Sequence, residues 1–312
     1  MDQPLLSIQH IDVHYGQKII LQDVSMRLDR KQIVGIVGES GSGKSTTIYS
    51  VLGVLGKTGR VTDGEIWYNN TNLLKLKQSE LRKICGKHLS LVAQNPMESF
   101  HPIRKLEKEI RELAKAHKGV SPKEAEESMV TFMERMKLDG RAVLKKYAYE
   151  LSGGMCQRAS IAMAMSLHPE VLFADEPTSA LDVTVQKQVV EELMRIRDDR
   201  GTAIMIVSHN MGIISYMADY IYVMLAGMVV ECGSREQVIR KPMHPYTQNL
   251  ISVIPRINTP AQRDVKATES VRGEQRCPYC EVCSKRKPEC AESVPTLRQV
   301  DENQFVRCHF VS

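Results

Sequence analysis

The sequence has no run of about eighteen apolar residues, which is what a helix needs to span a bilayer. It also lacks the basic start and the long apolar stretch of a secretory signal, since it opens MDQPLLSIQHID. Its net charge is only +5 over 312 residues, and this mild excess does not favour nucleic acid as a partner. We therefore expect a cytoplasmic protein with a large α/β core, whose role at any membrane depends on partners.

A glycine-rich loop occupies residues 38–46, where GESGSGKST fits the pattern GxxxxGK[ST]. The apolar segment 33–37 before it is predicted to be a buried strand and the segment 44–55 after it a helix, which is the context that the pattern requires. Glycines let backbone N–H groups close around phosphate oxygens, and the helix N-terminus adds a positive dipole end. Lys44 is expected at the β- and γ-phosphates, and the Ser45 hydroxyl at Mg²⁺. The residues expected to bind the nucleotide are Gly38, Ser40, Gly41, Ser42, Gly43, Lys44, Ser45 and Thr46.

Two carboxylates follow the apolar segment 171–174, in the sequence VLFADE. Asp175, at the carboxyl end of this predicted strand, is suited to hold the water shell of Mg²⁺. Glu176 lies one residue further out and is placed to polarise a water aimed at the γ-phosphate. Together with the glycine-rich loop, the pair predicts hydrolysis of a nucleoside triphosphate.

A second possible anion site is the segment 151–155, LSGGM, which comes just before a helical run at 156–167. A serine and two glycines at a helix start offer backbone N–H groups to an anion. One chain does not need two such sites for one triphosphate. We therefore expect Ser152, Gly153 and Gly154 to serve a nucleotide held by another subunit.

These patterns occur in the order found in ABC-type ATPases, and the chain resembles that family. The matching elements are Tyr15, the loop 38–46, Gln94, the segments 151–155, 171–176 and 179–182, and His209. The resemblance implies an α/β fold, that of a P-loop NTPase of the ABC type, with an antiparallel β subdomain and a helical subdomain at about 95–165. It also implies that the nucleotide is ATP and that two subunits form a head-to-tail dimer with two shared ATP sites.

The resemblance further implies a role for each matching residue. Tyr15 stacks on the adenine, His209 hydrogen-bonds the γ-phosphate, and Gln94 senses Mg²⁺ and the γ-phosphate and reports to the membrane subunit. The segment 152–155 acts in trans, and the segment 179–182 links the two sites. The implied catalytic residues are Glu176, His209, Gln94 and Lys44, and the implied Mg²⁺ ligands are Ser45 and Gln94. Two departures from the common family pattern, Cys156 and Asn210, have no phosphate contact assigned to them.

Further segments resemble those of the dipeptide, oligopeptide and nickel importers. They are QNP at 94–96, SF at 99–100, HP at 101–102, the run 175–186 and HPYT at 244–247. This resemblance implies a second, different ATPase subunit, two permease subunits and an extracytoplasmic binding protein, with the chain at the cytoplasmic face of the membrane. The expected cargo is a di- or oligopeptide or a related small solute. A nickel or other metal-chelate importer is one alternative, and a non-transport ATPase of a phosphonate-degradation complex is another.

The composition divides the chain into three predicted parts. Residues 1–253 form the ABC ATPase domain, and residues 254–276 are polar, lack periodicity and are predicted to be a linker. Residues 277–312 form a Cys-rich, metal-binding extension that is too short for a hydrophobic core of its own.

Five of the eight cysteines lie in the last 36 residues, which in a cytoplasmic protein favours metal binding over disulfides. By spacing alone, Cys277, Cys280 and Cys283 begin a ferredoxin-type cluster site, although the next cysteine follows after six residues instead of three. The family resemblance implies instead a structural 4Fe–4S cluster on Cys277, Cys283, Cys290 and Cys308, with Cys280 as an extra thiol. A tetrahedral Zn²⁺ site and free thiols are the alternatives.

Overall fold

A computed structural model describes residues 3–179, 181–252 and 275–311. The strands are β1 (Leu6–Tyr15), β2 (Lys18–Leu28), β3 (Ile33–Val37), β4 (Gly59–Tyr68), β5 (Thr71–Asn72), β6 (Leu89–Val92), β7 (Val171–Asp175), β8 (Ala203–Val207), β9 (Tyr220–Leu225), β10 (Met228–Ser234), β11 (Arg298–Asp301) and β12 (Gln304–Val306). The helices are α1 (Lys44–Leu52), α2 (Gln78–Ile84), α3 (Leu106–Ala116), α4 (Pro122–Arg135), α5 (Gly140–Leu144), α6 (Gly153–Met165), α7 (Val183–Arg200), α8 (Met211–Met217), α9 (Arg235–Arg240), α10 (Pro245–Ser252) and α11 (Glu289–Glu292).

The fold divides into two compact units. The first unit comprises Met1–Asp29, Ile33–Leu74 and Val207–Ser312, and the second comprises Arg30–Gln32 and Lys75–Ile206. The predicted linker at 254–276 lies outside the described residues except for its last two positions. None of the helices in the described ranges has the length and apolar character that crossing a bilayer requires.

An antiparallel sheet with the strand order β2-β1-β4-β5 forms one part of the first unit, as predicted. Its central strand β1 pairs antiparallel with both β2 and β4. Apolar side chains on one face are fully buried, while Gln9 and His10 are exposed where the register of β1 shifts. A strand with one buried and one wet face is the expected outcome of an antiparallel sheet.

The strands β11, β12, β10, β9 and β3 lie side by side in that order within the first unit. The predicted strand 33–37 is confirmed as β3, which pairs in parallel with β9 and is buried along its whole length. Gly35 lets helix α8 pack close to this strand, because a Cβ at Gly35 would lie 2.5 Å from Ile214 Cγ2. Strands β9 and β10 form an antiparallel hairpin, with Ala226 and Gly227 both at positive φ in its turn.

The strands β11 and β12 were not predicted from the sequence. They form an antiparallel hairpin whose second strand pairs with β10, with Glu231 opposite Val306. Val306, Cys308 and Val311 are buried together, and Val300 and Phe310 pack against them. We had expected residues 277–312 to have no apolar core of their own, and this small cluster is a correction to that expectation.

The second unit contains β8, β7 and β6 side by side, together with the helices α2 to α7. Helix α3 begins at Leu106 and buries Leu106, Ile110 and Ala114 on one face. Helix α4 begins at Pro122, and the side chain of the capping residue Ser121 accepts a hydrogen bond from the Glu124 N–H. Helix α7 begins at Val183, after Asp182, whose side chain caps the helix by accepting hydrogen bonds from the N–H groups of Thr184 and Val185.

Candidate ATP site

The glycine-rich loop follows β3 and leads directly into α1, as predicted. Gly38, Gly41 and Gly43 all have positive φ, at 151°, 76° and 104°. A Cβ at Gly38 would collide with the Met224 carbonyl oxygen, and one at Gly43 would lie 2.5 Å from Leu21 Cδ2. The loop therefore needs glycine both for its backbone conformation and for its close packing.

Two side chains of this loop are placed to meet a phosphate. Lys44 Nζ donates hydrogen bonds to the carbonyl oxygens of Gly38 and Glu39, at 2.9 and 2.8 Å, so its ammonium group lies inside the loop. Ser42 Oγ is buried and has no hydrogen-bond partner within the described part of the chain. A buried hydroxyl without a partner is costly, and a phosphate oxygen would satisfy it. The loop therefore fits a nucleoside triphosphate.

Tyr15 and His209 also belong to the first unit. Tyr15 is the last residue of β1 and is half-buried, with its ring so close to Gly59 that a Cβ there would lie 2.9 Å from Tyr15 Cε1. His209 is exposed and follows Ser208, whose N–H donates to the Ile36 carbonyl oxygen at 3.1 Å and so ties this segment to β3. Asn210 caps α8 through its side-chain oxygen, as an aspartate would, which explains why this departure from the family pattern is tolerated.

The second unit places Gln94, Asp175 and Glu176 along one edge of its strands. Strands β6 and β7 run parallel, with Val92 opposite Ala174, so the residues that follow them emerge on the same side. Asp175 is fully buried, whereas Gln94 is exposed. Glu176 has a positive φ of 49°, and its carbonyl oxygen accepts from both the N–H and the hydroxyl of Ser179. A non-glycine residue held in the left-handed region is typical of functional sites.

Helix α6 begins at Gly153, directly after Ser152, whose side chain accepts a hydrogen bond from the Met155 N–H at 3.3 Å. Ser152 and Gly153 are exposed, and among the described residues outside this helix turn no heavy atom would lie within 4 Å of a Cβ at Gly153. Arg158 fixes this helix start by donating to the carbonyl oxygens of Gly154 and Met136. The helix therefore presents its first turn to the outside of the second unit. Cys156, the other departure from the family pattern, is fully buried in the same helix.

The segment after β7 is held in place by residues that the sequence patterns did not identify. Gln186 Nε2 donates to the carbonyl oxygens of Thr178 and Leu181, at 3.1 and 3.0 Å. Val183 is 81% exposed, which is unusual for an apolar side chain. Ser179 and Asp182 are exposed beside it. These two hydrogen bonds of Gln186 could not be predicted from the sequence, because they depend on how the chain turns before α7.

Of the C-terminal cysteines, Cys277, Cys280, Cys290 and Cys308 are buried and Cys283 is half-buried. The Cys277 N–H donates to the Cys290 carbonyl oxygen at 2.9 Å. Burial raises the pKa of Cys277 to about 11, and the neighbouring thiols of Cys290, Cys280 and Cys308 also raise it. Four thiols are thus grouped within electrostatic reach of one another.

This grouping does not amount to a metal site in the described residues. Across 3–179, 181–252 and 275–311, no group of three or more His, Cys, Asp or Glu side chains is arranged to hold a metal ion. The structure therefore gives no support to the predicted metal-binding extension, whether the metal is an iron–sulfur cluster or Zn²⁺.

The comparisons with family models match two parts of the chain. A model described as "ABC transporter" matches residues 21–179, and one described as "Oligopeptide/dipeptide transporter, C-terminal region" matches residues 230–290. The first match contains the glycine-rich loop, Gln94, the start of α6 and the two carboxylates. The second contains most of β10, all of α9 and α10, and three of the four predicted cluster cysteines.

Curated relatives align over nearly the whole chain. The probable D,D-dipeptide transport ATP-binding protein DdpD of Escherichia coli is 36% identical over 322 residues, covering 99% of this chain and 98% of the relative. The oligopeptide transport ATP-binding protein OppD of Salmonella typhimurium is 34% identical over 295 residues, covering 91% and 88%. A probable peptide ABC transporter ATP-binding protein of Sinorhizobium fredii is 34% identical and covers 97% and 94%.

Solved structures show the same fold. The ATP-binding cassette MJ0796, in a dimeric post-hydrolysis state with ADP and Pi, has a TM-score of 0.66 at 24% identity, covering 74% of this chain and 98% of that one. The cbiO1 subunit of Clostridium perfringens has a TM-score of 0.66 at 22% identity, covering 77% and 92%. The P-loop NTPase fold predicted from the sequence is therefore confirmed. The chain belongs to the ABC transporter family, as an ATP-binding subunit that hydrolyses ATP.

Proposed function

We propose that this chain energises the import of di- and oligopeptides, or of a related small solute. The observation that carries the proposal is the match of residues 230–290 to the C-terminal region of oligopeptide and dipeptide transporters. The aligned relatives, which include a dipeptide and an oligopeptide transport ATP-binding protein, support it. On this proposal the chain supplies ATP hydrolysis, and other subunits select and carry the solute.

The proposed half-site for the chain's own ATP begins with the phosphates. Backbone N–H groups of the loop 38–46 hold the phosphate oxygens, Ser42 Oγ donates to one of them, and Lys44 turns from the loop carbonyls towards the β- and γ-phosphates. Tyr15 stacks on the adenine ring. A bound Mg²⁺ supplies charge neutralisation at the phosphates, and Ser45, Gln94 and Asp175 are the residues that we propose to hold it directly or through water.

Hydrolysis requires a base, and Glu176 is proposed for that role. Its carboxylate takes the proton of a water that attacks the γ-phosphorus as the bond to the β-phosphate oxygen breaks. His209 donates a hydrogen bond to the γ-phosphate and keeps it aligned with that water. The positive φ of Glu176 and the bond from Ser179 to its carbonyl oxygen fix the backbone from which the carboxylate extends.

The exposed start of α6 is proposed to complete the ATP site of a partner subunit. Ser152, Gly153 and Gly154 present a hydroxyl and backbone N–H groups in open space, where another subunit's γ-phosphate can approach. Exposed Val183 and the segment 179–182 are proposed to lie at the same contact, linking the two sites. ATP binding then closes the dimer and hydrolysis reopens it.

The proposed assembly contains a second, homologous ATPase subunit, two permease subunits and an extracytoplasmic binding protein. The chain works at the cytoplasmic face of the membrane and reaches the solute only through the permeases. Gln94 is proposed to report the state of the γ-phosphate to a permease, since it is exposed beside the edge that carries Asp175 and Glu176.

The cysteines of the C-terminal extension are proposed to hold a 4Fe–4S cluster through Cys277, Cys283, Cys290 and Cys308. A tetrahedral zinc with bonds of about 2.3 Å needs sulfur atoms about 3.8 Å apart, whereas a cluster binds one thiolate at each of four separated iron atoms. The neighbouring thiols of Cys290 and Cys308 raise the pKa of both Cys277 and Cys283, so the four proposed ligands lie within electrostatic reach of one another. The cluster would link parts of the extension that are distant in sequence.

Reconstitution of the complete transporter in lipid vesicles tests the proposed cargo. A di- or oligopeptide delivered with the binding protein should raise the rate of phosphate release, and the Glu176→Gln variant should abolish that response. Stimulation by a nickel chelate alone would replace the peptide proposal with the nickel alternative. Co-purification of the chain with a soluble enzyme complex, instead of hydrophobic permeases, would favour the phosphonate-degradation type.

Metal analysis after purification without oxygen tests the proposed cluster. The protein should be brown and contain about four iron ions and about four sulfide ions per chain. Substitution of Cys290 by serine should remove the colour, whereas Cys232→Ser, at a buried cysteine of β10, should keep it. Colourless protein loaded with zinc would contradict the proposal.

A further inference from the structure

The second residue of the phosphate loop is held from outside the loop. The Glu39 N–H donates a hydrogen bond of 2.9 Å to the hydroxyl oxygen of Tyr246, which lies 207 positions further along the chain. The Glu39 carbonyl oxygen accepts from Lys44 Nζ at 2.8 Å and from the Ser42 N–H at 3.1 Å. The two peptide groups that flank Glu39 are therefore fixed, one by Tyr246 and the other by the loop itself.

Tyr246 is itself held in place by burial and by hydrogen bonds. Its ring is completely buried at the start of α10, and its N–H donates to His244 Nδ1 at 3.1 Å. Burial lowers the pKa of His244 to about 3, so the imidazole is neutral and Nδ1 can accept this bond. The N–H groups of Met243 and His244 donate to the buried carboxylate of Glu231, at 2.8 and 2.9 Å.

The C-terminal extension supplies one wall of the Tyr246 pocket. Tyr279, which lies between Cys277 and Cys280, places its ring centroid 5.5 Å from that of Tyr246 at an interplanar angle of 62°. This is the edge-to-face arrangement that aromatic rings prefer. The Tyr279 ring also lies 6.0 Å from His244, and its hydroxyl accepts a hydrogen bond from the Asn249 side chain on α10.

A second connection joins the extension to the same carboxylate. Gln304 Nε2 on β12 donates to Glu231 Oε1 at 3.1 Å. The extension therefore touches the Tyr246 support at two independent places, through the Tyr279 ring and through Gln304. Both connections, like Tyr246 and the phosphate loop, lie within the first unit.

We propose that Tyr246 is a positioning residue for the phosphate loop, and that the C-terminal extension sets the affinity for ATP through the contact of Tyr279 with Tyr246. The inference rests on the proposed role of the loop 38–46 in binding ATP. When a binding-competent conformation is only partly populated, the apparent affinity falls in proportion to its population. Tyr246 keeps the Glu39 peptide in one conformation, and Tyr279 keeps Tyr246 in place.

The first experiment removes only the hydroxyl of Tyr246. In the full-length chain, Tyr246→Phe keeps the ring but leaves the Glu39 N–H without its acceptor, and the affinity for a fluorescent ATP analogue should fall roughly fivefold. The matched control is Tyr222→Phe. Tyr222 is also buried, and its hydroxyl accepts from the Arg27 N–H at the same distance of 2.9 Å, but Arg27 lies at the end of β2 and not in the loop.

The two variants should lose similar stability in urea, because each leaves one backbone N–H without a partner. Only Tyr246→Phe should weaken ATP binding, and in the assembled complex it should raise KM for ATP much more than it lowers kcat. Equal ATP affinity in the two variants would overturn the inference, since Tyr246 would then be a structural residue only.

The second experiment tests the path from the extension. Tyr279→Ala should weaken ATP binding about threefold in the wild-type background and add little in the Tyr246→Phe background, because both changes release the same peptide. Fully additive losses would show that Tyr279 does not act through Tyr246. If the wild-type chain itself fails to bind ATP, the proposed function fails. If the wild type binds and the variants do not differ from it, only this inference fails.

Discussion

The loop before α1 and the segment at the start of α6 both place glycines at a helix start, and they differ in what surrounds them. The loop before α1 is enclosed: Gly38 and Gly43 have no room for a Cβ, Lys44 is bonded to loop carbonyls, and the Ser42 hydroxyl is buried. The start of α6 is open: Ser152 and Gly153 are exposed, and no heavy atom of the described residues outside this helix turn lies within 4 Å of a Cβ at Gly153.

This difference distinguishes a segment that binds a nucleotide within its own chain from a segment that completes a site on another surface. An enclosed loop is organised before its ligand arrives, which suits a site that must hold a nucleotide within one chain. An open helix start offers donors but no enclosure, so it becomes a site only when another surface brings the anion to it. Glycines at a helix start can therefore serve either function, and the packing around them determines which one.

The largest expected effect is at Glu176, the proposed base of ATP hydrolysis. Glu176→Gln should retain ATP binding but slow phosphate release by about 10²- to 10⁴-fold, because the amide cannot take a proton from water. Nucleotide titration and a phosphate-release assay would measure the two quantities. Glu191→Gln, at an exposed position of α7, is the control and should leave both unchanged. Full turnover in Glu176→Gln would show that Glu176 is not the base.

A smaller effect is expected from filling the enclosed loop. Gly38→Ala should weaken ATP binding by about tenfold or more, because its Cβ meets the Met224 carbonyl oxygen and the loop must distort. Gly56→Ala is the control: its φ is also positive, at 77°, but a Cβ there meets nothing within 4 Å. Equal ATP affinities in these two variants would mean that close packing does not define the loop.

The open helix start should respond differently. Ser152→Ala and Ser121→Ala each remove a helix N-cap in the second unit, and each should lower the free energy of unfolding by about 1 kcal/mol. Only Ser152→Ala should also reduce ATP turnover in the assembled complex, by roughly tenfold, since only Ser152 is proposed to meet a phosphate. If Ser121→Ala lost as much turnover as Ser152→Ala, the loss in Ser152→Ala would be explained by lower stability alone.

The two segments were both predictable from the sequence because their signals are local. The loop 38–46 contains its strand, its glycines and its helix within a short stretch, and the segment 151–155 needs only a cap and a helix. The exposure of the start of α6 could not be predicted from these residues, because exposure depends on packing from distant segments. What the sequence did predict was a role for this segment at another subunit's nucleotide, because one chain needs only one triphosphate site.

Features that join distant parts of the chain were not predicted. The hydrogen bond from Glu39 to Tyr246 spans 207 positions, and the pairing of β12 with β10 brings Val306 opposite Glu231. HPYT at 244–247 marked the family in the sequence, but its letters alone do not show that the tyrosine hydroxyl reaches the phosphate loop. Such contacts are fixed by tertiary packing, and local propensity carries no information on them.

The most direct test of shared ATP sites uses Gly153→Asp in the complete transporter. The new side chain has open space within its own subunit, so folding should be preserved, while its carboxylate repels the phosphates of whatever nucleotide approaches the start of α6. Photolabelling with an azido-ATP analogue after vanadate trapping would show which ATPase subunit retains nucleotide. The account predicts that trapping is lost from the partner's phosphate loop and kept in this chain. Loss from this chain, with trapping kept in the partner, would contradict it.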